Sequence, residues 1–456
     1  MDFTEVLKRS ETGPMATSEE FLLNRVSKNA LQLSREAKLR FDPAFLVNQD
    51  DEAADRLFQA GLTLLERTGV YCSSSRRIIE FSRKEIEEHL NRLSGQVPVG
   101  RGKDFRIVRH RGVEDPVYPT VFGGPFNCDT DERTFVKFNE AYALEPLIDV
   151  LFFPGYLKEL DGLMIRPGSG LSTRAAILYG MYSREAVMRA GRPDMPIAGH
   201  AVMALNEIAC SSEEWGLRRS DPRAMVLISE LQVDDVSLTR MAYYRALGVP
   251  TYMAFTPLIG GYGGGPEGTA VVAVASFIAA TLLGGEIIHI GPQHIKLKVQ
   301  TGQHSLWLSS IVNQAIARNT RIVATTSHTT AGRPGSLQFP LEFSALTIAS
   351  VVSGSNISGP RPAEPLGFNQ NSPLMCRLFA EVGRASTFIN REKANQIVIN
   401  LHEMYKENLD LQASPKGSSF NELYDLESLE PKEEHYQTYL EARKILLDLG
   451  LPLNKV

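Results

Sequence analysis

Cysteine is scarce in this chain: of 456 residues only Cys72, Cys128, Cys210 and Cys376 are thiols, far apart and without a Cys-x-x-Cys pair. That spacing excludes a paired-thiolate zinc cluster and a disulfide scaffold, and a reducing, cytoplasmic setting is expected. Long apolar runs are lacking too. The best candidate, 269–283, contains small residues and falls short of the roughly 20 that a membrane span needs, so it reads as a buried helix. The opening Met-Asp-Phe-Thr-Glu-Val-Leu-Lys-Arg has no signal-peptide core. Nor is there an excess of positive charge: the net charge is −5, with Lys and Arg spread along the chain, which argues against a nucleic-acid footprint. Low-complexity segments are absent.

What is present is a 43% hydrophobic content, enough for a large core with appended segments. Helical periodicity over 19–38, 52–67 and 83–93 predicts an N-terminal helical cap within 1–100. The β-like runs 105–109 and 117–122 flank the turn signal 112–116 and predict a hairpin closing one end of the next domain. Further on, short apolar strands alternate with helices. Strands are expected at 149–153, 195–197, 225–228, 250–255, 287–290, 322–325 and 356–358, and helices at 173–188, 234–247, 267–283, 306–318 and 341–352. Such alternation predicts a parallel sheet, closed as an eight-stranded (β/α)8 TIM-type α/β barrel over 101–365, with a doubly wound open sheet as the alternative. Residues 366–456 return to helices, at 374–387, 392–408 and 433–449, expected to pack on the barrel or at a subunit interface.

In such a barrel the chemistry sits just beyond the C-terminal ends of the strands. Those positions hold Asn127, Asp129, His200, Glu230, Thr256, Tyr262, His289, His294, Ser327, His328, Arg333 and Arg361. Four of the nine histidines fall there, which points to an enzyme, although any one of them suits a structural hydrogen bond equally well. His289 and His294 bracket Gly291-Pro292-Gln293, a spacing unlike His-Glu-x-x-His, and no metal site is expected. A carboxylate at Glu230 would be buried, and so needs a partner or a use; Glu342 near a helix start suits the positive helix end. The glycine run 260–265 lacks both the P-loop Lys-Ser/Thr and a Gly-x-Gly-x-x-Gly register, so a close-packed turn or a lid is expected rather than a nucleotide site.

Several segments together resemble the monomethylamine methyltransferase family of corrinoid-dependent methyltransferases: 60–72, 190–195, Ser229-Glu230-Leu231, 257–265 with its Gly-Gly-Tyr, 289–295, and the C-terminal 420–425 and 442–451. The resemblance implies a barrel whose mouth accepts a small-molecule methyl donor and docks a separate corrinoid protein; the corrinoid comes with that partner, and no cofactor is bound tightly. It also implies a homo-oligomer. In pyrrolysine-containing members pyrrolysine occupies the position matching Ala198, and the strand leading to Gly260-Gly261-Tyr262 carries acidic and amide groups where this chain has Met253-Ala254-Phe255. A glutamine position is Ser327.

These departures suggest a cleared, less acidic pocket for an aromatic ring, shaped by Ala198, Ala254 and Phe255. The expectation is therefore an O-demethylase resembling those of methoxyarene systems, moving the methyl group of a methoxylated aromatic compound to Co(I). His200 or His328 would stabilise the phenolate, and Glu230 would orient a histidine or a substrate hydroxyl. Tyr262, Asn127, His289 and Ser327 would line the site, with Arg333 or Arg361 pairing a benzoate carboxylate. A methylated or quaternary amine is the alternative donor, and a non-catalytic barrel scaffold the third reading.

Overall fold

Eight short runs, several rich in Val, Ile, Thr and aromatic residues that suit a pleated surface, form one parallel sheet in chain order. They are β1 (Val121–Gly123), β2 (Val150–Phe152), β3 (Ile197–Ala198), β4 (Arg223–Val226), β5 (Thr251–Phe255), β6 (Ile287–Ile290), β7 (Val323–Thr330) and β8 (Asn356–Pro362). The computed structural model describes residues 2–126, 128–199, 213–364, 367–411, 414 and 416–456. Strand β8 pairs with both β7 and β1, and a parallel bridge between Gly199 and Arg223 joins the β3 side to β4, so the sheet closes on itself. The fold is a (β/α)8-type barrel with helical extensions at both ends of the chain.

The crossovers described are the helices α1 (Glu132–Leu144), α2 (Gly170–Arg189), α3 (Asp235–Leu247), α4 (Pro266–Leu282), α5 (Gln303–Asn319) and α6 (Gln338–Val352), and α7 (Pro373–Ala385) follows β8. Their ends follow local chemistry. The Asp234 carboxylate accepts from the Ser237 amide to start α3, which stops at Gly248 in the left-handed region, φ 64°. Pro266 opens α4, where its missing N–H costs nothing.

Helix α4 is apolar all round and buried from Gly268 to Leu282, which requires a second layer outside it. The N-terminal helix Asp51–Thr68 supplies that layer, with Gly61 set so close to Val274 that a Cβ would lie 2.4 Å from its Cγ1. Helix Arg391–Tyr405 covers α6 in the same way. A separate cluster fills the barrel itself, with Phe122, Phe126, Phe152, Phe153 and Tyr252 set among Val150, Ala198, Ala224, Ile287 and Val323.

One expected element differs. The run Arg106–Arg109 does form an antiparallel ribbon, but with Gln96–Val99, while the 117–122 segment leads into β1. Helix α1 follows its Asp131 cap, with Phe135, Phe138 and Tyr142 buried on one face, a pattern present in the sequence but not expected above.

Candidate active site

Side chains alternate along a strand, and that alternation sorts the strand-end residues into those that face the barrel and those that face the helices. Tyr252 on β5, His289 on β6, Thr325 on β7 and Ser358 on β8 face inward and form one network. The Tyr252 hydroxyl is 2.6 Å from His289 Nδ1 and 3.0 Å from Thr325 Oγ1, and Ser358 Oγ is 2.9 Å from the same Nδ1. Burial pushes the His289 imidazole down to about 3, with the proximity of His328 and Arg361 adding to it, so the ring is neutral at physiological pH.

Phe126 and Phe152 pack around His289 at centroid distances of 6.0 Å each. The Arg361 guanidinium lies over the Phe126 ring, 4.9 Å from its centroid. No hydrogen bond or ion pair of this guanidinium exists among the described residues, and its Nε is buried without a partner. Burial lowers it to about 10, offset in part by Tyr156.

Glu230 lies just beyond β4 on the opposite side of the ring, in a tight turn where it and Leu231 both have positive φ, 66° and 60°. It is 4% exposed, and among the described residues neither carboxylate oxygen has a hydrogen bond of normal geometry. Burial holds the group up at about 7, offset only by the backbone of Leu258. The glycine loop covers it: a Cβ on Gly261 would lie 3.2 Å from Glu230 Oε1. The loop itself is a close-packed turn, in which a Cβ on Gly268 would sit 2.1 Å from the Gly263 carbonyl oxygen.

Other expected site residues fall elsewhere. Phe255 follows inward-facing Ala254 and therefore points out, packing edge-on against Phe277 of α4 at 5.2 Å; it does not shape a pocket in the barrel. His328 is fully buried on the helix side of β7, with its ring 4.7 Å from Phe379 of α7 and its Nδ1 3.2 Å from the Ser358 carbonyl oxygen. Arg333 is consumed by carbonyls, donating to Glu364, Ser414 and Leu411 at 3.2, 2.8 and 3.4 Å, so it fastens the C-terminal loop to the end of β7.

Ala198 is fully buried and belongs to the cluster that fills the barrel. Ser327 is buried at the β7 bulge, and Tyr262 is exposed on the glycine loop. His200 and Asn127 lie outside the described residues. Glu342 does more than favour a helix end: it accepts from Thr301 Oγ1 and from the Ala331 and Gly332 amides, at 2.5, 2.9 and 2.7 Å. The inward aromatics Phe126, Phe153 and Tyr252 were not among the expected site residues; the Phe152-Phe153 pair ending β2 was the available signal.

Among the described residues no group of three or more His, Cys, Asp or Glu could hold a metal ion, and no helix is long and apolar enough to cross a membrane. A parallel barrel with Arg361, Glu230 and neutral His289 at its strand ends matches a known class along nearly its whole length. The family described as monomethylamine methyltransferase MtmB matches residues 1–451. The monomethylamine methyltransferase MtmB of Methanosarcina mazei is 29% identical over 453 residues, 99% of this chain and 98% of that protein, and MtmB1 of Methanosarcina barkeri is 28% identical over the same share. The crystal structures of Methanosarcina barkeri MtmB and of a hydroxylamine MtmB complex superpose with TM-scores of 0.94 at 28% identity, covering 99% of this chain and 98% of theirs. The protein is an enzyme of the corrinoid-dependent methyltransferase class. The chain belongs to the monomethylamine methyltransferase MtmB family. This full-length match overturns the expected methoxyarene O-demethylase, because the family model and the relatives matched are those of monomethylamine methyltransferases. The physical argument for an aryl pocket loses one of its walls with it, since Phe255 faces outward onto Phe277.

Proposed function

We propose that this enzyme transfers the methyl group of a methylated amine to the cobalt of a corrinoid carried by a separate protein. The observation that carries the reading is Glu230, a buried carboxylate at a strand end with no side-chain donor among the described residues. A methylated amine is a cation at neutral pH, as a lysine side chain with a pKa of about 10.4 is. A carboxylate held up by burial gains more from such a cation than one already paired at the surface. The corrinoid, when docked, supplies a Co(I) nucleophile that accepts the methyl group while the C–N electron pair leaves on nitrogen.

The chain's own residues then have three tasks. Glu230 attracts the ammonium and fixes the nitrogen end of the donor. His289, kept neutral and tied at Nδ1 to Tyr252, Thr325 and Ser358, forms a floor that adds no competing positive charge. Phe126 and Phe153 give an apolar wall that keeps water from the reacting carbon. A protein-borne corrinoid also suits the rim, where the strand-end loops expose Leu163, Met164, Ile228, Tyr262, Ile295 and Phe368, an apolar surface of the kind that docks a partner.

The test is methylation of the reduced corrinoid partner, followed by the loss of Co(I) absorbance, with methylated amines and methoxybenzoates offered in parallel. Methylated amines should react and methoxybenzoates should not. Reaction with the aryl ethers alone would refute the reading.

A further inference from the structure

A second group of imidazoles lies where three elements meet: the rim segment that follows β6, the N-terminus of α5, and the end of the helix Arg391–Tyr405. Together they border an open cavity of about 290 Å³, lined by His294, His304, Ser305 and His402. The inward network of Tyr252, His289, Thr325 and Ser358 takes no part in it. His402 is 7% exposed, and neither of its ring nitrogens has a hydrogen bond among the described residues. The Ser305 hydroxyl is buried without a partner there too. Buried polar groups are costly when unpaired, and these border one cavity, where a single ligand can satisfy them together.

The groups on this cavity are donors. Helix α5 starts at Gly302 with no side-chain cap, which leaves its first amides without an acceptor. His294 Nδ1 accepts from the Lys296 and Leu297 amides at 3.3 and 3.4 Å, so its proton sits on Nε2, which donates. That tautomer also disfavours a metal, because a metal-bound imidazole uses its second nitrogen as a donor. The His294 and His304 rings stack with their centroids 6.0 Å apart. Lys406, 2.7 Å from Glu403, adds positive charge at the edge. The acids that face the rings are exposed Glu407 and Glu267 beside His304, and one Glu267 oxygen takes the Phe41 amide at 3.0 Å. Donors that arrive from a rim segment, a helix end and a second helix surround a ligand, which suits the tetrahedral oxygens of a phosphate better than a flat carboxylate.

We propose that this cavity is an oxyanion site that binds a phosphate group, held by the first amides of α5 and the imidazoles of His294, His304 and His402. Residues 293–294 pair in parallel with 258–259, which lead into the glycine loop over Glu230, so the bound anion ties that side of the mouth to the C-terminal helix. Burial holds all three imidazoles below the ordinary histidine range, with Lys296 and Lys406 adding to it and Glu267 and Glu403 offsetting it. A bound dianion favours the protonated rings, so the site binds more tightly as the pH falls.

The test is calorimetric titration of inorganic phosphate into the full chain, as wild type, His402→Gln and His304→Gln. The wild type should show one saturable site, and each variant should bind about 10-fold or more weakly, at an unchanged unfolding midpoint without phosphate. His304 is only half-buried, so its variant decides the matter if His402→Gln fails to fold. Sulfate, whose charge is constant in this range, should bind the wild type about 10-fold more tightly near pH 6 than near pH 8. Glycerol 3-phosphate titrated in parallel separates the sources. Tighter binding than phosphate assigns the site to an ester whose carbon chain lies on Leu297 and Leu409, and weaker binding assigns it to the inorganic ion.

An absence of saturable phosphate heat would overturn the proposal, as would heats that both variants leave intact or sulfate binding indifferent to pH. Saturable binding of zinc(II), lost in the same variants and unaccompanied by phosphate binding, would make the cluster a metal site and refute the oxyanion.

Discussion

Replacing Glu230 with glutamine should stabilise the protein at alkaline pH while weakening its use of a cationic donor. The carboxyl is held up at about 7 against an ordinary 4.5 because it is buried without a side-chain donor. At 1.36 kcal/mol per pH unit, ionising it in the folded state costs about 3 kcal/mol more than in the unfolded chain. Between about 4.5 and 7 the folded state therefore holds a proton that the unfolded chain has released, and stability falls as the pH rises through that window, then levels off. Glutamine has nothing to ionise. Its unfolding free energy should exceed that of the wild type by up to about 3 kcal/mol at pH 8 and match it within about 1 kcal/mol near pH 4.5, measured by urea denaturation at both. In the same variant KM for the amine should rise and lose its pH dependence, whereas in the wild type it should fall as the pH climbs through about 7 and the carboxylate forms. A variant no more stable than the wild type at pH 8 would show that the carboxylate has a partner and would refute the reasoning.

Glu342 should behave in the opposite way, because its buried oxygens accept from Thr301 and from the Ala331 and Gly332 amides. Glu342→Ala orphans those donors and should cost about 3–5 kcal/mol, read from the denaturation midpoint. Gly268→Ala places a Cβ against the Gly263 carbonyl oxygen and should lower the thermal midpoint and impair turnover together, since the glycine loop also covers Glu230. Arg333→Met should detach the C-terminal loop and raise its amide exchange, with donor preference unaltered, because its bonds are to carbonyls of that loop and of Glu364.

The barrel was legible where local pattern and long-range pairing agree. The apolar run 287–290 is β6, and α3 ends at Gly248, because a buried strand and a left-handed cap both leave signals in a few adjacent residues. The ribbon before the barrel was misassigned because Pro98 disguises its partner strand, a residue tolerated there since the strand lies at a sheet edge. At the site, alternation alone assigns Ala254 and Phe255 to opposite faces, so the outward course of Phe255 could have been read in advance. That Glu230 has no side-chain donor among the described residues could not. Whether a charged side chain has a partner depends on residues far away in the chain, and the pairings that satisfy Arg184 and Arg377 join positions 37 and 232 residues apart. Without that knowledge the loss of polar groups around position 254 reads as an apolar pocket, when the charge that matters stands on another strand.

The most direct test is single-turnover methylation of the Co(I) corrinoid partner by the wild type and by Glu230→Gln, with methylated amines set against methoxybenzoates. The account predicts methyl-cobalt formation from the amines, none from the aryl ethers, and a loss of roughly 100-fold or more in kcat/KM for the amines when Glu230 is neutralised. Methyl-cobalt formed from methoxybenzoates, or amine transfer indifferent to Glu230→Gln, would contradict it.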